Sequence, residues 1–488
     1  MAASRIDDDI DIHPVSDTDT EITKETCYKK AQTVLESTDP LHFPIAFPEV
    51  FEEEQPGFDV IIGNPPWEEE LIDEDNFWRR YEPGLKGKSK QEKQKIIDGL
   101  KKERPDLAEA YEEERDEKRK RRKILTNGPY PGMGTGDPDT YKAFSWRFWN
   151  LIHNDGYNGV VLPRSAFLSA GSEEFRRTVL NEGTITDLTF LKNKQGWVFE
   201  KAEHRYTIAL FAFTHSTPDE NQTVPLRGPY PDPESYEEGI ENDPHRFPVD
   251  QAKSWTDTAA FPLLPDDPRS VSVFDQLTSA PRLANKEAGH WRARPNTELH
   301  ATNDKKRDDG TTLMHFIDDP PEEYWPVYKG NSFELWNPDT GVRYAWADPD
   351  IIIEYLQESR ENSYQYAGSR SAFAEFSEKW VNDPDTLPCL SPRVAFRNVS
   401  RATDTRTIIC ALVPPETPLT NAAPYFLWPK GDERDEAYLL GILSSIPLDW
   451  YARRFVEANV NYHILNALPI PRREPDDPLR QNIIKLAG

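Results

Sequence analysis

Asn64-Pro65-Pro66-Trp67 is the segment whose residue types, in that order, best fit a defined reaction. The reaction is group transfer to a planar exocyclic amine. The lone pair of such an amine is delocalised into its ring, so the nitrogen is a poor nucleophile. A catalyst must accept both N–H groups and favour a pyramidal nitrogen that faces the electrophile. The Asn64 side-chain oxygen can accept one N–H and the Pro65 carbonyl the other. Proline fixes φ, so these acceptors reorganise little. Trp67 offers a flat face on which a base taken out of its helix can stack. No general base is needed if the proton leaves after nitrogen attack. The same four residues also suit an ordinary turn, since Asn-Pro starts turns and the chain holds 43 prolines. The buried strand before them and the aromatic fourth residue favour catalysis.

That strand is Phe58-Asp-Val-Ile-Ile, a β-branched run that ends at Gly63, where Pro65-Pro66 cannot continue a ladder. Residues 1–41 form an acidic segment, with a short helix expected at Tyr28–Glu36. Next comes His42-Phe-Pro-Ile-Ala-Phe-Pro-Glu-Val-Phe51, apolar and broken by prolines. Residues 68–127 read as a charged helical insertion, with exposed helices at Gln91–Leu100 and Asp106–Leu125. Its basic block, Lys118–Lys123, is either a solvated helix end that suits the dipole or a phosphate-contacting arm. An amphipathic helix is expected at Asp139–His153, with Tyr141, Phe144, Phe148 and Ile152 on one face. A turn at Asn154–Gly159, a strand at Val160–Leu162, a helix at Glu173–Asn181 and strands at Ile185–Leu191 and Tyr206–Thr214 follow. This order fits part of an α/β sheet. Residues 42–215 are therefore read as one partial domain. Residues 216–488 are read as a separate α+β domain, with strands at Val394–Arg397 and Thr407–Leu412 and helices at Asp435–Ile446 and Leu448–Glu457.

At about 150 residues per domain, 488 residues suggest two large domains or three smaller ones. Thirteen Trp, 19 Tyr and 23 Phe argue against disorder. No apolar run spans a membrane, and Met1-Ala-Ala-Ser-Arg lacks the apolar core of a secretory signal, so a cytoplasmic protein is expected. Cys27, Cys389 and Cys410 lie too far apart for a disulfide framework or a Cys-rich zinc site, and the histidines lack metal-ligand spacing. Pro105-Asp106 and Asp116-Glu117-Lys118 have the residue types of a metal-dependent nuclease. They fall on expected continuous helices, so no metal is expected. With 85 acidic and 58 basic residues the net charge is -27, which on its face disfavours a nucleic-acid partner. Surface carboxylate that keeps a chain soluble in a high-salt cytoplasm is the other reading.

Phe58-Asp-Val-Ile-Ile-Gly-Asn-Pro-Pro-Trp67 resembles the catalytic motif of adenine-N6 DNA methyltransferases. The His42–Phe51 run before it is similar to the large adenine methylases of type IIG restriction–modification and BREX-type phage-exclusion systems. Gly136-Asp-Pro-Asp-Thr-Tyr141 and Gly159-Val-Val-Leu-Pro-Arg-Ser-Ala-Phe167 resemble the segments that follow the catalytic loop. Gln195-Gly-Trp-Val-Phe199 resembles the loop whose aromatic packs on the flipped base. That role falls to Phe199, with Trp197 competing. The stretches Arg397–Arg406, Pro447–Phe455 and Asn459–Pro471 resemble target-recognition regions. The resemblance implies a partial Rossmann-like methyltransferase sheet, a C-terminal target-recognition domain, double-stranded DNA as partner and S-adenosylmethionine as methyl donor. It also implies that Arg397, Arg401, Arg406, Arg453 and Arg454 touch phosphates or guanine edges.

The family binds its donor on a strand and Gly-rich turn before the catalytic motif. Here no glycine precedes Gly57, and Gly132-Met-Gly-Thr-Gly136 follows a loop rather than a strand. Three readings stay open: a separate chain carries the cofactor half, the frame is an inactive remnant, or the chain binds DNA without methylating it. RNA or a protein glutamine is the further alternative substrate for such a loop.

Overall fold

The computed structural model describes residues 41–487 apart from 53, 69–72, 89, 134, 137, 220 and 286–290. The Tyr28–Glu36 helix, Cys27 and nearly all of the acidic segment lie outside the described residues. Twelve strands run in chain order: β1 Phe58–Gly63, β2 Ile152–Pro163, β3 Thr184–Lys192, β4 Thr207–Thr214, β5 Thr223–Tyr230, β6 His245–Pro248, β7 Arg292–Asn296, β8 Trp325–Val327, β9 Ala345–Ala347, β10 Arg393–Phe396, β11 Cys410–Val413 and β12 Tyr425–Lys430. The first six form a mixed α/β sheet in the order β1-β2-β4-β3-β5-β6. β1 runs parallel to β2, β4 runs antiparallel to both its neighbours, and β3 runs parallel to β5. A second, antiparallel sheet has the order β11-β10-β12-β7, and β8 and β9 form a small ribbon.

β1 enters from Gly57 (φ +128°), where a Cβ would lie 2.5 Å from the His153 amide nitrogen. Phe43 and Phe51, on two short helices, and Phe47 between them surround Phe58 with ring centroids 5.4–6.0 Å away. Ile61 packs on the main core. The opposite face of β1 is bare: Val60 is 55% and Ile62 84% exposed, beside Tyr157 of β2 at 56%. Among the described residues β1 pairs with β2 alone, so its other edge is open.

The segment 154–159 is not a free turn. β2 starts at Ile152 and absorbs the extra residues as an irregularity between its Phe58↔Ile152 and Val60↔Tyr157 pairs. Asp155 takes φ +68° there, and its amide donates to His215 O at 2.9 Å. An Asn/Asp/Gly cluster that signals a turn signals a bulge equally well. The preceding helix, Thr140–Leu151, buries Tyr141, Trp146 and Trp149, while Phe144 stays 39% exposed and Phe148 lies beside Gly63. Its aromatics thus form two stripes, and the buried one includes two tryptophans that the sequence reading left out.

The first sheet continues past residue 215 through β5 and β6. Pro225, Gly228 and Pro229 disguise β5, because proline normally demotes a strand. One core cluster then joins the halves, from Tyr141 through Phe274 to Ile470. Phe274 stacks on Tyr451 at 5.2 Å, and Leu263 N donates to Arg454 O at 2.8 Å. The insertion holds helices Glu74–Arg79, Lys90–Glu103 and Pro105–Asn127, whose Phe77, Trp78, Leu85, Ile97, Leu107 and Tyr111 form a small core of their own. Cations of its basic block pair along the same helix, Lys118 with Glu114, Arg119 with Asp116 and Arg121 with Glu117.

Candidate active site

Asn64 follows β1, where the strand ends and proline ends the pairing. Asn64 and Pro66 are exposed, Pro65 is buried and Trp67 is half-buried. The loop is clamped from the helix that follows the insertion. Thr140 Oγ1 donates to the carbonyls of Pro66 and Glu68 at 2.8 and 3.0 Å, and Thr140 N donates to Glu68 O at 3.0 Å. Trp67 Nε1 donates to Val161 O of β2 at 3.4 Å. Among the described residues no hydrogen bond engages the Asn64 amide or the Pro65 carbonyl. The exposed Asn64 amide is thus open to a ligand while the chain around it is fixed.

Phe199 meets Trp67 with ring centroids 5.9 Å apart and an interplanar angle of 79°. Trp197 instead donates to Lys192 O at 2.7 Å and faces Tyr236, so Phe199 is the ring beside Trp67. The two rings stand edge to face, and a base sandwiched between them requires one to turn. Asn193, wholly buried, holds the loop that carries Phe199. Its Oδ1 accepts from Val198 N and Phe199 N at 3.1 and 2.9 Å, and its Nδ2 donates to Phe199 O at 2.9 Å. Thr140 and Asn193 had no role in the sequence reading. An Asn at a strand end before a Gly-containing turn was the available signal, since Asn binds local backbone.

Trp67 lines a cleft of about 1530 Å³ between the first sheet and the C-terminal segments. Eight lysines and arginines line it against four carboxylates, the reverse of the chain's overall balance. Of the five arginines expected to touch DNA, Arg401, Arg453 and Arg454 line this cleft, and Arg397 and Arg406 do not. Arg397 donates to the carbonyls of Gly330 and Phe333 and pairs with Glu334. Arg406 donates to Ser444 O at 2.6 Å. Arg453 donates to Asp449, Ala402 O, Asp404 O and Thr405 O at 2.7–2.8 Å. Arg454 donates to Trp450 O at 3.0 Å and to Leu263 O at 3.3 Å. Burial pushes the Arg454 guanidinium down to about 10. These four have internal structural partners. Arg401 is exposed; Asp404 and Thr407 hold its backbone, and no hydrogen bond engages its guanidinium among the described residues. Buried Asp449 is the hub behind it, accepting from Thr407 N and Ile408 N at 2.7 and 2.8 Å as well as from Arg453.

The described residues do not fit the donor implied by the sequence resemblance. No turn of several glycines joins a strand to a helix among them, so they form no cradle for S-adenosylmethionine. Among the described residues no group of three or more His, Cys, Asp or Glu is placed to hold a metal, and no helix is long and apolar enough to cross a membrane. Asp106 and Asp116 lie on or at helical turns and pair with Arg104 and Arg119.

Residues 6–99, which include the Asn64–Trp67 loop, match the family model of Eco57I restriction-modification methylases. The matched stretch is similar to that of a restriction–modification methylase. Among solved structures, the chain is 14% identical to the type IIG restriction endonuclease BpuSI, with a TM-score of 0.27 over 75% of this chain and 46% of that one. It is 13% identical to the Type IIL restriction-modification enzyme MmeI in complex with DNA (TM-score 0.36, 72% and 44%). It is 11% identical to a nuclease-deletion mutant of the Type ISP enzyme LlaGI in complex with a DNA substrate mimic (TM-score 0.38, 88% and 34%). The chain spans less than half the length of each. No curated protein matches it.

Proposed function

We propose that this chain is the catalytic-loop and target-reading portion of a site-specific DNA methyltransferase that modifies adenine N6 in a restriction–modification or phage-defence system. The observation that carries the reading is the Asn64–Pro65 acceptor pair. It has no internal partner among the described residues, is held by Thr140, and lies three residues from a tryptophan that lines a cation-rich cleft. Asn64 Oδ1 and Pro65 O accept the two N–H groups of the target amine. This draws its lone pair out of conjugation and aims it at the incoming methyl. Trp67 stacks the flipped base, and Phe199 turns to close the other side. Arg401 reads or anchors the strand.

S-adenosylmethionine sits, on this reading, on a cofactor half that pairs with the open edge of β1, whichever polypeptide carries it. Bare Val60, Ile62 and Tyr157 on the adjoining face support that site of attachment. A second reading, DNA recognition without methyl transfer, is favoured by the lack of a donor cradle among the described residues. One experiment separates the two: the chain is combined with a cofactor half supplied on a separate polypeptide, and labelled methyl incorporation into duplex DNA is measured. Incorporation supports the methyltransferase. Site-selective binding without incorporation supports the recognition protein.

A further inference from the structure

The floor of the cleft holds a cation cluster that the proposed reaction does not use. Arg164 follows β2 and Lys192 ends β3. Both flank Thr207 at the start of β4, Arg164 N donating to Thr207 O at 3.0 Å and Lys192 pairing with Thr207 in register. The backbone of Arg454 lies against them, its carbonyl accepting from Arg164 Nη2 at 2.8 Å. The Arg164 side chain is 2% exposed and sits over Phe190, yet its Nη1 has no hydrogen-bond partner. Its Nε faces a single carboxylate, Glu457, at 3.1 Å. Arg176 shows how this fold otherwise treats a buried guanidinium: it donates to the carbonyls of Ala166, Ser169, Thr258 and Ala259. A buried charge left partly unpaired is costly unless something pairs with it.

Burial pushes Arg164 down to about 10, and desolvation with the charges of Arg454 and Arg164 lowers Lys192; all three residues line the cleft. Val161, the acceptor of Trp67 Nε1, lies three residues before Arg164, about 10 Å along β2. The cluster is therefore close to the proposed base-stacking ring.

We propose that Arg164 and Lys192 bind one backbone phosphodiester of the DNA strand whose base is flipped, with the Glu457 carboxylate holding the place when no strand is bound. The proposal rests on the DNA reading above. A guanidinium edge and an ammonium match the two non-bridging oxygens of a phosphodiester, and the low dielectric of the floor strengthens both contacts.

The test uses the full chain, a fluorescent duplex carrying the target site and the surface variants Lys192→Gln and Glu457→Gln, which spare buried Arg164. Lys192→Gln is expected to weaken binding several-fold and to lower the slope of log K against log salt by about 1. Glu457→Gln is expected to tighten binding several-fold. A methylphosphonate at the contacted phosphate of the target strand should remove both effects. Unchanged affinity and slope in both variants, while the parent chain binds DNA, overturns the phosphate site and leaves the DNA reading standing. A parent chain that binds no duplex overturns both. Inorganic phosphate bound with the same dependence on Glu457, with no methylphosphonate effect, identifies a free-anion site and also overturns the proposal.

Discussion

At the scale of residues, the structure separates polar groups without an internal partner among the described residues from groups that hold the surrounding chain. Asn64→Ala is expected to abolish methyl transfer by the complemented enzyme while DNA affinity changes little, because Asn64 makes no described internal bond whose loss would disturb the fold. Normal transfer by that variant removes Asn64 from its role. Arg401→Ala should weaken DNA binding by about 1–3 kcal/mol without changing the thermal midpoint. Arg453→Ala should lower the midpoint, since it frees several carbonyls and Asp449, at about 1–3 kcal/mol. The opposite pattern would exchange the two roles. Asn193→Ala should loosen the Phe199 loop and raise KM for DNA more than it lowers stability. His215 packs on Trp149 with ring centroids 4.0 Å apart, and burial holds its imidazole below the usual value of 6.5. The folded pKa therefore lies below the unfolded one. The contribution of neutral His215 is complete above 6.5 and is lost as pH falls below it. His215→Gln should flatten that part of the midpoint-against-pH curve relative to the parent chain. The strand before Asn64–Trp67 and its end at the prolines were legible, because that context restricts the local structure. The partners of the arginines were not, because a guanidinium serves a phosphate and a carbonyl equally well, and only packing decides which it meets.

At the scale of elements, the edge of β1 that no described strand covers is the feature with most consequence. A free edge beside exposed Val60, Ile62 and Tyr157 is a surface for strand addition or for aggregation. Ile62→Lys should keep the chain monomeric at higher concentration and block productive pairing with the cofactor half. Gel filtration and the complementation assay read the two effects, and unimpaired complementation places the cofactor half elsewhere. Strong β-branched runs such as Phe58–Ile62 and Thr207–Thr214 were readable as strands, because few other local structures suit them. β5, with its two prolines, was not, and neither was the bulge that carries β2 through Asn154–Gly159. There the tertiary pairing overrides local preference. The same override hid the extent of the first sheet, which passes residue 215.

At the scale of the whole molecule, a net charge of -27 coexists with a cation-lined cleft. Charge sums over the sequence cannot show such segregation. Read as adaptation to a high-salt cytoplasm, the outer carboxylates repel one another at low ionic strength and are screened near molar salt. The thermal midpoint should therefore rise from low to molar KCl while DNA affinity falls, and a midpoint that drops with salt would remove this account of the acidity. The central claim, that Asn64 and its loop serve methylation of adenine N6 in DNA, is tested most directly in the host genome. Adenine methylation is mapped in strains carrying the intact gene, a deletion, and the Asn64→Ala variant. The account predicts N6-methyladenine at one sequence motif with the intact gene and its loss from that motif in both other strains. Methylation that persists in the Asn64→Ala strain, or a map identical in all three, would contradict it.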